Sequence, residues 1–155
     1  MTIAATQKLK KFMYYISRSV PVTINYSGMA RDLGIDRDDL PKYLEYLEKA
    51  ELVSALGMKA NGDAILRKMD KLYLHNPNIA YVLSGGKADV GNARETIFFC
   101  WTKERFNTLE SPISDFEIDG KTFELGGRKK GKKQITDAKE GYVVKDNIEY
   151  VFDNQ

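Results

Sequence analysis

Ser114-Asp115-Phe116-Glu117-Ile118-Asp119-Gly120-Lys121-Thr122-Phe123-Glu124-Leu125 is a run of alternating character interrupted by Asp-Gly. Asp-Gly between two such stretches predicts a two-residue type I′ hairpin, because both loop positions must take positive φ. A loop of that length sets the register. Ile118 faces Lys121, Glu117 faces Thr122, Phe116 faces Phe123 and Asp115 faces Glu124. Paired residues share a face, and faces alternate along a strand. Phe116 and Phe123 are expected to pack inward, with Asp115, Glu117 and Glu124 on the other face. Asp115 and Glu124 then meet with Cβ atoms roughly 5 Å apart. Like charges so placed repel unless a divalent metal, a lysine or an arginine offsets them. Magnesium suits carboxylate oxygens; a solvated polar face on which the two acids tolerate each other is the simpler expectation.

Working outward, Gly126-Gly127 leads into Arg128-Lys129-Lys130-Gly131-Lys132-Lys133, five cations in six residues. Gly126, four residues, Gly131 and Lys132 imitate a phosphate loop, but Lys133 stands where Ser or Thr would hold magnesium, and no long apolar helix follows. A solvated loop or contact with a phosphate backbone fits better. If all five cations met phosphates, the salt slope would be about −4.5. On the N-terminal side, Asn92 reads as the cap of a helix carrying Glu95, Phe98, Phe99 and Trp101. Asn92 and Glu95 stand three apart, as in a capping box. Glu95 is also a third carboxylate that would complete a metal site. Asn76-Pro77 opens a shorter helix that Gly85-Gly86 ends. Gly141 to Val144 and Ile148 to Phe152 supply further strand-like pieces, so residues 76–155 read as mixed α/β.

Residues 1–75 have a different pattern. Leu9, Phe12, Met13 and Ile16 fall at helical spacing, as do Leu40, Tyr43, Leu44 and Leu47. Pro21 stops the first of these helices. Ser27 reads as the cap of an intervening short helix with Met29, Ala30 and Leu33, which Gly34 terminates. Pro41 must lie in the first turn of the third helix, which puts its cap at Asp38 or Asp39. Strand-like pieces at Leu52 to Leu56 and Leu72 to Leu74 flank Asn61-Gly62, a hairpin signal, with Ile65-Leu66 between. Helices followed by a β-hairpin are the layout of a winged helix-turn-helix. Its third helix begins with Asp36, Asp38 and Asp39, acids that repel phosphate where base contacts usually start. Lys42 and, from the wing, Lys59, Arg67 and Lys68 are its candidate nucleic-acid contacts. Docking to a protein is an equal expectation.

Composition narrows the field. The chain has 155 residues, 30% charged, with a net charge of +2. That balance alone implies neither nucleic acid nor an anionic membrane. One cysteine, Cys100, rules out an internal disulfide framework, and no apolar run is long enough for a membrane helix. A cytoplasmic protein is expected. His75 is the only histidine and reads as a hydrogen-bonded structural residue; Cys100 reads as core.

Glu95 on a helix, Asp115 on a strand and Glu124 on the next strand resemble the PD-(D/E)xK nuclease pattern. In that family the helix Glu and two strand acids bind magnesium, and a Lys two residues after the second strand acid activates the water or phosphate. Here that position is Gly126, which disfavours hydrolysis unless Lys129 or Lys130 reaches back. More specifically, Lys71-Leu72-Tyr73-Leu74-His75-Asn76-Pro77-Asn78, Gly91-Asn92-Ala93-Arg94-Glu95-Thr96, Phe123-Glu124-Leu125-Gly126-Gly127-Arg128-Lys129 and Tyr43-Leu44-Glu45-Tyr46-Leu47-Glu48-Lys49-Ala50 resemble the C-terminal region of predicted AAA+-type ATPases. That region pairs a winged helix with a restriction-endonuclease-like domain of unknown function. The resemblance implies a winged helix over 1–75 and a small nuclease-like α/β domain over 76–155, the latter truncated at its C-terminus. It implies a non-catalytic recognition or regulatory module in contact with DNA or a protein partner. ATP would enter only through an ATPase core that this chain lacks. A magnesium-dependent nuclease using Glu95, Asp115 and Glu124 is one alternative, and a free-standing winged-helix transcriptional regulator is another.

Overall fold

A computed structural model describes residues 3–58 and 69–146. The expected turn at Asn61-Gly62, the piece at Ile65-Leu66, the candidate contacts Lys59, Arg67 and Lys68, and the last apolar piece at Ile148 to Phe152 lie outside the described residues. Among the described residues the chain is a mixed α+β protein with five α-helices and two sheets.

The N-terminal part runs α1 (Ile3–Ser17), β1 (Val22–Thr23), α2 (Tyr26–Leu33), α3 (Leu40–Lys49), β2 (Val53–Gly57) and β3 (Met69–Leu74). Its sheet has the order β1-β3-β2, antiparallel throughout. Phe12, Met13 and Ile16 of α1 are buried at the spacing expected, as are Leu40, Leu44 and Leu47 of α3. Asp39 is the N-cap residue of α3, with Pro41 in the first turn where a missing N–H costs nothing. The cap of α2 is Asn25, not Ser27: its extended backbone lets the side-chain oxygen accept from Gly28 N–H at 3.1 Å. Gly34 closes α2 in the left-handed conformation.

The remainder runs α4 (Pro77–Leu83), α5 (Val90–Thr102), β4 (Thr108–Glu110), β5 (Phe116–Ile118), β6 (Lys121–Gly126) and β7 (Gly141–Lys145). The second sheet has the order β4-β5-β6-β7, antiparallel except for the parallel β6–β7 pair. The first strand of the hairpin begins only at Phe116, two residues into the alternating run, and β4 carries no sequence pattern that announces it. Asp89, not Asn92, caps α5, accepting from Asn92 N–H at 2.9 Å. Asn92 therefore lies inside the helix, and the capping-box reading of Glu95 falls. Capping starts the helix one turn earlier and frees the Glu95 side chain to point elsewhere.

β3 joins the two halves. Leu72 and Leu74 are fully buried on one of its faces, within an apolar cluster that includes α1, α2 and α3. Tyr73, pointing the opposite way, packs on Phe99 of α5 at 4.9 Å and on Phe116 of β5 at 5.9 Å between ring centroids. A strand buried on both faces reads as an unbroken apolar run, which explains Leu72-Tyr73-Leu74. Cys100 is half-buried instead of core; its thiol points at the Leu74 carbonyl, and burial pushes its pKa up to about 11.

Candidate functional site

The hairpin has the register its turn requires: Phe116 pairs with Phe123, Glu117 with Thr122 and Ile118 with Lys121. Asp119 and Gly120 both have positive φ, +52° and +79°, as a type I′ loop demands. Phe116 is fully buried and Phe123 half-buried against Phe98. The acidic face is not solvated. Glu124 is 1% exposed, among the most buried side chains described.

A carboxylate so deeply placed needs a counter-charge, because desolvating an unpaired charge costs several kcal/mol. Lys130 supplies it. Its ammonium pairs with Glu124 Oε1, which has no other polar partner, while Ser114 Oγ donates to Oε2 at 2.5 Å. Lys130 reaches this position by lying across Gly126. A Cβ added at residue 126 would collide with Lys130 Cβ and Cγ. The glycine that stands where the nuclease pattern has its lysine is thus the opening through which a lysine four residues later enters.

Asp115, one residue before β5, accepts from Leu125 N–H at 2.7 Å. Glu95 projects from α5 and accepts from the Tyr73 hydroxyl at 3.3 Å. The three acids lie in one electrostatic neighbourhood. Burial raises the pKa of Glu95, and Asp115 adds to the rise; burial raises Asp115 too, against the Leu125 hydrogen bond. Lys71 lowers both, while forming its own ion pair with Glu110 of β4 at 2.8 Å. Lys71, Tyr73 and Ser114 are members of this cluster that sequence reasoning missed. Only the period-2 pattern of β3 hinted that Lys71 and Tyr73 share a face.

Magnesium, which the nuclease resemblance implies, does not fit this arrangement. Each carboxylate is already engaged, by Lys130 and Ser114, by Leu125 N–H, or by Tyr73. Among the described residues no three His, Cys, Asp or Glu side chains come together as cation ligands.

A carboxylate whose folded pKa is raised destabilises the fold wherever it is ionised. That cost is fully present above the folded pKa and disappears below the unfolded value of about 4.3. Glu95→Gln keeps an acceptor for Tyr73. It is therefore expected to be more stable than the wild type at pH 7, with the gain shrinking to nothing as pH falls below about 4. Urea unfolding across that pH range checks this.

The remaining candidates separate sharply. Lys42 is paired with Asp39 at 3.0 Å, and Lys49, also on α3, with Glu45 at 2.6 Å. Arg128, Lys129, Lys132 and Lys133 are exposed, whereas Lys130 is drawn inward. The basic run thus carries four cations facing solvent, not five. It leads into a single 3₁₀ turn at Lys133–Ile135, unlike a phosphate loop followed by a long helix. His75 is hydrogen-bonded as expected, with its Nδ1 3.2 Å from both Ser54 Oγ and Lys103 Nζ. Among the described residues no helix is long and apolar enough to cross a membrane.

Part of the chain is similar to the HTH-type transcriptional activator ArnR of Sulfolobus acidocaldarius. The two are 34% identical over 64 residues, which is 38% of this chain and 24% of that protein. The chain thus spans about a quarter of the length of this relative. No solved structure matches the chain. The domain of unknown function DUF8612 matches residues 2–90, more than half of the sequence, and the chain belongs to that family.

Proposed function

We propose that this chain is a non-catalytic recognition module that contacts nucleic acid, with a winged helix over about 1–75 and a nuclease-like α/β unit over about 76–155. The observation that carries this reading is the Lys130–Glu124 ion pair across Gly126. Lys130 does reach back, as the nuclease alternative requires; here its pair with Glu124 Oε1 is taken as an internal salt bridge that occupies a would-be metal ligand, and plasmid cleavage separates the two readings. The winged-helix part is supported by the order α1-β1-α2-α3-β2-β3 with β1 beside β3, and by the likeness to an HTH-type activator. The nuclease-like part is supported by the placement of Glu95 on a helix, Asp115 beside one strand and Glu124 on the next. The raised carboxyl pKa values of Glu95 and Asp115 support reading the cluster as a relic of a metal site, since such perturbation clusters where chemistry occurs. The resemblance to the C-terminal region of AAA+-type ATPases makes an ATPase the natural companion of such a module, and ATP chemistry would belong to that companion.

Supercoiled plasmid incubated with the chain and magnesium or manganese is expected to stay supercoiled. Nicking that disappears in Asp115→Ala would replace this reading with a PD-(D/E)xK nuclease in which Lys130 releases Glu124. The likeness to ArnR favours one second reading, a free-standing transcriptional regulator. That reading requires a preferred operator sequence; affinity equal across unrelated duplexes counts against it.

A further inference from the structure

A cleft lies away from the acid cluster, where the end of α3 and the edge strand β2 face α5 and β4. Its volume is about 340 Å³, at the small end of ligand pockets, roughly 300–1,000 Å³. Phe99 and Phe106 form an aromatic wall, and Glu48, Ser54, Lys103 and Thr108 supply the polar atoms. Thr108 is 7% exposed, and its Oγ1 is buried without a hydrogen-bond partner. Such an orphan is rare, because a buried hydroxyl without a partner costs free energy that a ligand can recover. Ser54 is 5% exposed and accepts from Lys103 Nζ at 2.9 Å. The same ammonium lies 3.2 Å from His75 Nδ1 and 3.1 Å from Glu104 Oε1. Glu48, from α3, is half-buried and accepts from Ala55 N–H at 3.2 Å.

The cleft therefore offers one cation from the C-cap of α5 and one carboxylate from α3, with hydroxyls between apolar walls. A simple anion would meet Glu48, and a simple cation would meet Lys103. A dipolar molecule satisfies both, and its body can lie on Phe99 and Phe106. We propose that this cleft binds a small zwitterion of the α-amino-acid type, its carboxylate toward Lys103 and the Thr108 hydroxyl and its ammonium toward Glu48. The occupant would touch both halves of the chain at once, which places it where an effector could couple them. This proposal is independent of whether the acid cluster is a relic.

The test is thermal unfolding and calorimetric titration of the full chain with millimolar phenylalanine or leucine, beside 3-phenylpropanoate and phenethylamine. An amino acid is expected to raise the melting temperature, with each singly charged analogue binding roughly tenfold weaker or worse. Lys103→Met is expected to weaken amino-acid binding by roughly tenfold. Thr108→Val gives the independent readout. It removes an unpartnered hydroxyl, so the ligand-free melting temperature holds or rises while the ligand-induced shift falls. The proposal fails if no amino acid shifts the melting temperature. It fails equally if 3-phenylpropanoate or phenethylamine binds as well as phenylalanine. A lower ligand-free melting temperature for Thr108→Val, with the ligand response intact, would make the hydroxyl structural and overturn it too.

Discussion

Lys130→Met is expected to destabilise the chain by about 3 kcal/mol, although Lys130 lies on a loop and keeps about a third of its side chain in water. Methionine retains the aliphatic stem that crosses Gly126 and deletes only the charge. Glu124, buried and held otherwise by Ser114 alone, then loses its counter-ion. Breaking a buried pair from one side typically costs 3–5 kcal/mol, and the partial exposure of Lys130 puts the effect at the lower end. Gly126→Ala acts on the same pair by another route. Its methyl group occupies the space of the lysine stem, so the chain must displace either the loop or the ion pair. Urea denaturation with an unchanged m-value would show that both variants act on stability and not on the unfolded ensemble.

The second large effect concerns nucleic acid. Four exposed cations at Arg128, Lys129, Lys132 and Lys133 give a salt slope of about −3.6 if all meet phosphates. Affinity for a duplex should then fall about 150-fold between 50 and 200 mM salt. Replacing Lys132 and Lys133 together by alanine should halve the slope to about −1.8, leaving roughly a twelvefold dependence. The lysines of α3 should matter less, because Lys42 and Lys49 already answer acids on their own helix. Exposed pairs of that kind are individually weak, but phosphate must compete with a neighbour a turn away. Fluorescence anisotropy of a labelled duplex, titrated with salt, reads the slope directly. A slope unaffected by the double alanine change would move the interface elsewhere.

What could be read beforehand follows a physical line. The hairpin register was legible because few residues accept positive φ, and Asp-Gly places two that do at adjacent positions. The buried faces of α1 and α3 were legible because their apolar spacing is regular. Two helix starts were misplaced for one shared reason. Asn25 and Ser27, and likewise Asp89 and Asn92, are competing cap residues two or three positions apart, and only the backbone conformation chooses between them. β4 is three residues long, too short for a period to show. The burial of Glu124 was hidden because it depends on what covers that face. Its cover is Lys130, four residues beyond a glycine whose value lies in what it lacks. Sequence spacing pointed to a missing lysine; tertiary packing restores the charge from another position.

That restoration is the claim on which the functional reading stands, and a double-mutant cycle on Lys130 and Glu124 tests it most directly. Lys130→Met, Glu124→Gln and the combined variant are compared with the wild type by urea unfolding. The account predicts a coupling of about 2 kcal/mol, with Glu124→Gln rescuing most of what Lys130→Met loses. A coupling within about 0.5 kcal/mol of zero, the range of independent sites, would mean that the two charges do not hold each other. Glu124 would then be free for a metal, and the case for a silent cluster would fall.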